Sequence, residues 1–272
     1  MIFNLLPLYS LTAWDYTLLA VVTVQSAVHA YIPDPQYKAF VYLLPVPFTA
    51  AALAVGQPID AANIWSLLLM LGYTHIVRLL HVNLRLNIFA AISCGLCCCA
   101  FLGFSLARLL ESVQSYYAPA LIFWSSGVVI LVLGLLIQHL MPPCEEPAHR
   151  TLAPLWIKLP TIAAVILFLI LIKKELGGFI TAFPMVGVVA AYEARRSLWT
   201  MSRQASMLLP ALAVMMIAAH LAQSALGWSL PLALAAGWVV YLPLVIACTP
   251  VVRDRIINCQ KRTTDDALVS AD

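Results

Sequence analysis

Long apolar runs constrain this chain more than any other feature of its sequence. Nine windows are dominated by apolar side chains, and junctions rich in proline, glycine and polar residues separate them. A helix satisfies its own backbone hydrogen bonds in hydrocarbon, and about 20 apolar residues are enough to cross a bilayer. The sequence therefore predicts nine transmembrane helices, at residues 13–32, 39–56, 62–81, 86–107, 118–140, 153–172, 177–192, 205–226 and 228–248.

The composition predicts an all-α, polytopic membrane protein. Of 272 residues, 63% are hydrophobic and 10% charged, and the mean hydropathy is +0.94, whereas soluble domains carry about 25% charged residues. The sequence holds no HExxH, GxSxG or phosphate-loop motif, and it leaves no room for a separate soluble domain. We therefore expect neither an enzyme nor a nucleic-acid-binding protein.

The basic residues predict the orientation of the chain. With nine helices, three of the fifteen Lys and Arg residues fall on one side of the membrane and the other twelve on the opposite side. Cytoplasmic loops collect Lys and Arg, so we expect the N-terminus outside and the C-terminus in the cytoplasm. The first window has no basic residues before it, which favours a retained helix over a cleaved signal peptide. Residues 251–272 are polar and are expected to form a disordered cytoplasmic tail.

Proline interrupts two of the predicted helices. Pro45 and Pro47 lie in the second window, and Pro184 follows Phe183 in the seventh. Proline has no amide hydrogen, so it leaves a carbonyl of the preceding turn without its helical donor. Two such interruptions at matching places are typical of transporters whose broken helices meet near the bilayer midplane. The alternative is that neighbouring helices simply satisfy the freed carbonyls.

The order of the windows predicts an internal repeat. Residues 1–112 hold four windows, residues 113–150 hold a single helix and a loop, and residues 151–250 hold four more windows. Because one helix separates the two groups, the second group enters the membrane from the opposite face. The sequence thus predicts two inverted four-helix repeats joined by a connector helix.

Polar side chains lie inside two of the predicted helices. His75 and Arg78 share a face of the third window, and His220 and Gln223 share a face of the eighth. Ionisable residues within a membrane are functional candidates, and a histidine titrates near neutral pH. His75 and His220 are our candidates for proton relay, and Arg78 is a candidate for binding an anionic solute or pairing with Glu193. The alternative is a hydrogen-bonded core histidine in each helix.

Cysteine and histidine do not predict a cofactor. Cys94 and Cys97 have the spacing of a metal or redox pair, but no second pair accompanies them, and free cysteine in an apolar run packs as a small hydrophobe. Haem requires two histidines that face each other, and no spacing singles out such a pair. We therefore expect no metal and no cofactor.

Two short motifs in the last third of the chain resemble those of a known family. Phe183-Pro184 is followed by Ala190 and Tyr192, and the sequence LPLAL opens the ninth window. This pattern resembles the small four-helix GlpM-type bacterial membrane proteins, although the N-terminal half departs from it. The resemblance implies a four-helix unit, doubled in this chain, and a bacterial inner membrane. It implies no substrate and no catalytic residues.

These observations together predict a secondary transporter that works by alternating access around Pro45, Pro47 and Pro184. Its expected partners are the lipid bilayer, an unidentified small solute and, for a coupled transporter, protons. The alternative is a non-transporting subunit that scaffolds an envelope or polysaccharide assembly. In such a subunit the polar residues would be structural.

Overall fold

A computed structural model of the chain describes residues 13–142, 144, 146, parts of 154–167, and 185–247. Within these residues every regular element is helical. A π-helical turn, Leu79–Asn83, continues the fourth α-helix. The α-helices are α1 (Ala13–Tyr31), α2 (Pro35–Leu43), α3 (Val46–Val55), α4 (Ala61–Arg78), α5 (Ile88–Gln114), α6 (Pro119–Leu140), α7 (Met185–Glu193), α8 (Leu198–Leu226) and α9 (Leu230–Ala247).

Six helical stretches of the described residues are long and apolar enough to cross a membrane. The protein is therefore an all-α integral membrane protein. Although α1 has 19 residues, it is not among the six, because polar side chains interrupt its apolar sequence. The six stretches are Tyr37–Val55, Ala61–Asn83, Ile88–Gln114, Pro119–Leu140, Leu198–Leu226 and Leu230–Ala247.

Several predicted helices differ from the observed ones. The window at 86–107 is too short, because α5 extends to Gln114. The window at 39–56 is wrong as a continuous helix, because α2 and α3 replace it. The window at 205–226 is too short, since α8 already begins at Leu198. Of the window at 177–192, the structure describes only the part that lies in α7. Nine transmembrane helices and the inverted repeats stay predictions.

The centre of the bundle is α8. It packs against α2, α4 and α6, and 61% of its most apolar stretch is buried, compared with 33% for α5 and 28% for α9. The outer helices α5, α6 and α9 expose large apolar side chains, among them Phe101 and Val239. Apolar surface of this kind suits contact with lipid. Thr74 of α4 and Ser202 and Ser206 of α8 are buried and face protein rather than hydrocarbon.

Small residues allow the helices around α8 to approach closely. A Cβ atom at Gly134 of α6 would lie 2.9 Å from the ring of Pro210 in α8. A Cβ atom at Gly237 of α9 would lie 2.8 Å from the backbone oxygen of Met215. Membrane helices use small residues in this way to bring their backbones together. The two glycines fix the positions of α6 and α9 against the central helix.

Candidate functional site

One membrane-length apolar segment is broken in its middle. Helix α2 ends at Leu43 and α3 begins at Val46, so the chain leaves helical geometry around Pro45. Because Pro45 has no amide hydrogen, the carbonyl of Val41 loses its helical donor. Pro47 lies in the first turn of α3, where an amide hydrogen has no helical acceptor. The predicted interruption at these prolines is confirmed.

A side chain of α1 replaces the donor that Pro45 lacks. The Nε2 atom of Gln25 donates to the Val41 carbonyl oxygen at 2.6 Å and lies 3.4 Å from that of Leu44. Gln25 is 7% exposed, so water does not compete freely for this bond. Helix α1 therefore stabilises the break. Gln25 was not among the predicted site residues.

The other side of the break is tied to α9. The hydroxyl of Thr49 donates to the carbonyl oxygen of Pro45 at 2.8 Å. The indole Nε1 of Trp238 donates in turn to the Thr49 hydroxyl oxygen at 2.9 Å. A hydrogen-bonded chain thus links α9 to the first turn of α3. Helices on both sides of the break hold its geometry.

Five buried polar side chains lie on α1, α2 and α4. Each is less than one-tenth exposed, and each has a polar side-chain atom without a hydrogen-bond partner among the described residues. These atoms are one amide oxygen, three hydroxyl oxygens and both nitrogens of an imidazole ring. A buried polar atom without a partner is unfavourable by about 1–3 kcal/mol. We name the three on α1, Gln25, Ser26 and His29, the polar cluster; the other two are Tyr42 of α2 and Tyr73 of α4.

The sequence contained one sign of the polar cluster. Gln25 and His29 are four residues apart on one face of α1, where their side chains are neighbours. The tyrosines gave no sign of their own, because tyrosine is common in membrane helices. The ring of Tyr73 packs against Gly95 of α5, where an added Cβ atom would lie 3.2 Å from the Cε2 atom of the ring.

His75 lies at a contact between α4 and α8. Its Nε2 atom is 3.3 Å from the hydroxyl oxygen of Ser206. The Ser206 hydroxyl donates to the carbonyl oxygen of Ser202 at 3.0 Å, so its oxygen accepts from His75. The hydroxyl of Ser202 donates to the carbonyl oxygen of Thr74 at 3.2 Å. His75 is thus part of a polar contact that joins the last turns of α4 to the first half of α8.

His220 and Gln223 bind the loop before α4. The Nδ1 atom of His220 lies 2.7 Å from the Ile59 carbonyl oxygen, which can only accept, so Nδ1 carries the hydrogen. The amide oxygen of Gln223 accepts from the Ile59 amide at 2.9 Å. The His220 ring also stacks on Phe123 of α6 at 3.8 Å between centroids. Both backbone groups of one loop residue are therefore held by α8.

Arg78 lies at the end of α4 and is half-buried. Its guanidinium group is 4.7 Å from the centre of the Trp199 ring, a cation–π geometry. The predicted pairing of Arg78 with Glu193 stays a prediction. Glu193 is 4% exposed, and its backbone oxygen accepts a hydrogen bond from Lys38 Nζ at 3.1 Å.

The predicted site residues do not form a single cluster. Phe183 and Pro184 lie outside the described residues. The others fall in three places: Pro45 and Pro47 at the break, His75 and Arg78 near the end of α4, and His220 and Gln223 beside its start.

No protein-family model matches this chain, and no curated protein or solved structure matches it. The resemblance to GlpM-type proteins stays a prediction. The functional assignment rests on the broken helix, the polar cluster and the two contacts that join α4 to α8.

Proposed function

We propose that the protein is a secondary transporter that moves a small solute across the membrane by alternating access. The observation that carries this proposal is the break at Leu44–Pro45, which interrupts a membrane-length apolar segment beside buried polar side chains of α1. Broken helices are the usual places where transporters bind solutes and ions, because they free backbone groups inside the bilayer. In a scaffold subunit the break and these polar side chains would be structural.

The proposal includes the predicted architecture. Residues 1–112 and 151–250 form two inverted repeats around the connector at 113–150, with nine spans in a bacterial inner membrane. The N-terminus lies outside and the C-terminus lies in the cytoplasm. Helix α4 then belongs to the first repeat and α8 to the second, and these two helices pack directly against each other. Movement of one repeat against the other would take place at this interface.

Two polar contacts lie at opposite ends of the α4–α8 interface. We name the contact of His220 and Gln223 with Ile59 the Ile59 gate, and the contact of His75 with Ser206 the His75 gate. Ser206 and His220 are about 21 Å apart along α8 at 1.5 Å per residue. Both contacts are formed in this structure, so in our proposal it represents an occluded state. Opening of one gate at a time gives access from one side of the membrane at a time.

The histidines give each gate a means of responding to protons. His75 uses Nε2 in its contact and His220 uses Nδ1, so the second ring nitrogen can take up a proton without breaking the bond. A charged donor makes a hydrogen bond roughly twice as strong as a neutral one. Protonation therefore holds a gate closed, and loss of the proton favours its opening. A pH difference across the membrane therefore favours opening of the gate on the less acidic side, and this couples a proton gradient to transport.

Flux measurements on the purified full-length chain test the proposal. The protein is reconstituted in liposomes that contain a pH-sensitive dye, and a pH gradient is imposed in the presence of a panel of small solutes. We expect protein-dependent solute uptake accompanied by a change in internal pH. If the protein moves neither protons nor any solute, the scaffold alternative is favoured instead.

Histidine variants separate coupling from transport. His75→Gln and His220→Gln retain a hydrogen-bond donor but cannot carry the extra proton, so solute uptake should persist while the accompanying pH change is lost. His81→Gln is the matched control, because His81 lies in the exposed turn after α4 and its Nδ1 contacts the Leu86 carbonyl oxygen at 2.8 Å. An equal effect of all three variants would contradict the role of the gates.

A further inference from the structure

We propose that a groove between α5 and α6 binds one acyl chain of a membrane phospholipid. The groove is a cavity of about 400 Å³ on the side of the bundle, and α4 forms its floor. Trp65 of α4, Leu110 of α5 and Ile122 of α6 are among the residues that line it. The inference depends on the membrane class of the protein and is independent of the proposed transport function.

The groove exists because α5 and α6 diverge after the short turn, 115–118, that joins them. Both helices pack closely against α4, whereas few contacts join α5 to α6. Gly103 lets α5 approach Leu69 of α4, since a Cβ atom there would lie 3.1 Å from that side chain. Gly127 lets α6 approach Ile217 of α8, at 3.2 Å by the same measure. The two helices are thus packed against different neighbours, and a space opens between them.

The groove has a buried floor and an open side. Leu110 and Ile122 are 8% and 6% exposed, and they belong to a small apolar cluster with Ala61 of α4. Leu109 and Leu121 also line the groove, one on each helix, and both are well exposed. The groove is therefore continuous with the apolar outer surface of α5 and α6. In a membrane, hydrocarbon chains reach it directly from the bilayer.

The chemistry of the groove favours hydrocarbon over water. Its wall is almost entirely apolar. Ser125 and Ser126 contribute hydroxyl groups to this wall, but both donate to the carbonyl oxygen of Ile122, at 3.0 and 2.6 Å. A water molecule in a cavity needs two to four polar partners, and the groove does not offer them. Only an apolar occupant satisfies such a surface.

The position of the groove matches a phospholipid of one leaflet. Tyr116 and Tyr117 in the turn before α6 are 81% and 59% exposed, and exposed tyrosines are typical of the boundary between membrane and water. From Leu121 the exposed apolar face of α6 continues through Val128 to Val132. This distance is about 16 Å at 1.5 Å per residue, close to half of the roughly 30 Å hydrocarbon core. A lipid with its headgroup beside the tyrosines can therefore place one chain along the groove.

Packing rather than hydrophobicity determines whether the chain is held. Lipid tails are as apolar as leucine, so transfer of a chain from the bilayer into the groove gains little hydrophobic free energy. An unfilled groove, however, lacks the dispersion contacts that an occupant makes with its floor. The site therefore depends on its shape. A side chain that fills the groove should exclude the acyl chain.

Two variants fill the groove from opposite walls. Ser125→Phe adds an aromatic ring from α6, and Leu109→Trp adds one from α5. Val239→Phe is the matched control, because Val239 is 72% exposed on α9 and does not line the groove. Size-exclusion chromatography of each variant establishes that it is folded, and either filling variant alone is sufficient for the comparison.

Photo-crosslinking in liposomes measures occupancy of the groove. The full-length chain is reconstituted in phosphatidylcholine of which a small fraction carries a diazirine on one acyl chain, and labelled residues are identified by mass spectrometry after illumination. We expect label on Leu110 and Ile122, which lipid that only surrounds the bundle does not reach, as well as on the exposed Ile246 of α9. Each filling variant should lower the label on the two floor residues, relative to Ile246, by roughly fivefold or more, because a filled groove leaves no room for the chain. Val239→Phe should leave this ratio unchanged.

Three other outcomes would overturn the inference. Label on Ile246 but not on Leu110 or Ile122 would show that lipid only surrounds the bundle. Label on the two floor residues that both filling variants leave unchanged would show that the chain does not occupy the groove. An unlabelled floor in a chain that light scattering shows to be a dimer would assign the groove to a second copy. None of these results affects the flux measurements, so transport is tested separately.

Discussion

The bond between Gln25 and the Val41 carbonyl can be tested by removing its donor. Gln25→Leu keeps a side chain of similar volume but leaves the Val41 carbonyl oxygen with only a long bond, 3.4 Å, from the Leu44 amide, which is unfavourable by about 1–3 kcal/mol. The variant also removes the Gln25 amide oxygen, which is buried without a partner among the described residues. Its removal offsets a part of the destabilisation. We expect a destabilisation of about 2 kcal/mol, or roughly 4–8 °C in Tm. Thermal unfolding of the purified chain, followed by tryptophan fluorescence, measures it.

A second variant shows whether Gln25 acts through the break. Pro45→Ala restores an amide hydrogen that can donate to Val41 in a continuous helix, so Gln25→Leu should have a smaller effect in that background. The double-mutant cycle should give a coupling energy of about 1–2 kcal/mol. Gln57→Leu, at an exposed loop position, should change stability by less than about 0.5 kcal/mol. If Gln25→Leu lowers the free energy of unfolding equally in the unmodified and the Pro45→Ala backgrounds, the reasoning is refuted.

Two further predictions concern the packing that supports the site. Gly237→Ala places a Cβ atom 2.8 Å from the Met215 backbone oxygen and should destabilise the fold by about 1–3 kcal/mol. The control Gly72→Ala meets no atom within 4 Å and should not destabilise the fold in this way. Equal Tm values for the two variants would contradict the close approach of α8 and α9. Asp60→Ala removes the carboxylate that accepts from the Ala62 amide at 2.9 Å at the start of α4, with an expected loss of about 1 kcal/mol in thermal unfolding. Asp60→Asn should retain most of that stability.

The sequence predicted the features that depend on neighbouring residues. An apolar run and a proline act locally, so the membrane class and the interruption at Pro45 and Pro47 could both be derived without a structure. The boundaries were less accurate, because the polar first turns of α8, which hold Arg203 and Gln204, contain no apolar run. Glu146 accepts hydrogen bonds from the first amides of that helix, and this contact between distant segments is not visible in the sequence.

The polar cluster could not be assigned to the break from the sequence, because the contact between them joins residues that are distant in the chain. Gln25 and Val41 are 16 residues apart, and their contact depends on how α1 and α2 pack. The available signal was the low hydropathy of α1, which its polar side chains cause. The sequence alone did not assign these side chains to a site. Polar residues in a membrane helix are unfavourable unless neighbouring helices or a ligand satisfy them.

The intramembrane histidines illustrate a different limit. The sequence made His75 and His220 candidates for proton relay, and the structure gives them unrelated partners, a serine hydroxyl and a loop carbonyl. A sequence shows that a histidine is intramembrane but not which acceptor its ring nitrogens find. Their assignment to two gates came only from the packing of α4 against α8.

Access to the break from both sides of the membrane tests the central claim most directly. Ser26, fully buried in this structure, is replaced by cysteine in a chain whose seven native cysteines are changed to alanine or serine. Liposomes with the protein in one orientation are treated with a membrane-impermeant maleimide from outside or from within, and Gln57→Cys in the exposed loop is the control that reacts from one side. Alternating access predicts that Ser26→Cys reacts from either side. Reaction of Ser26→Cys from only one side, or from neither, would contradict transport by alternating access.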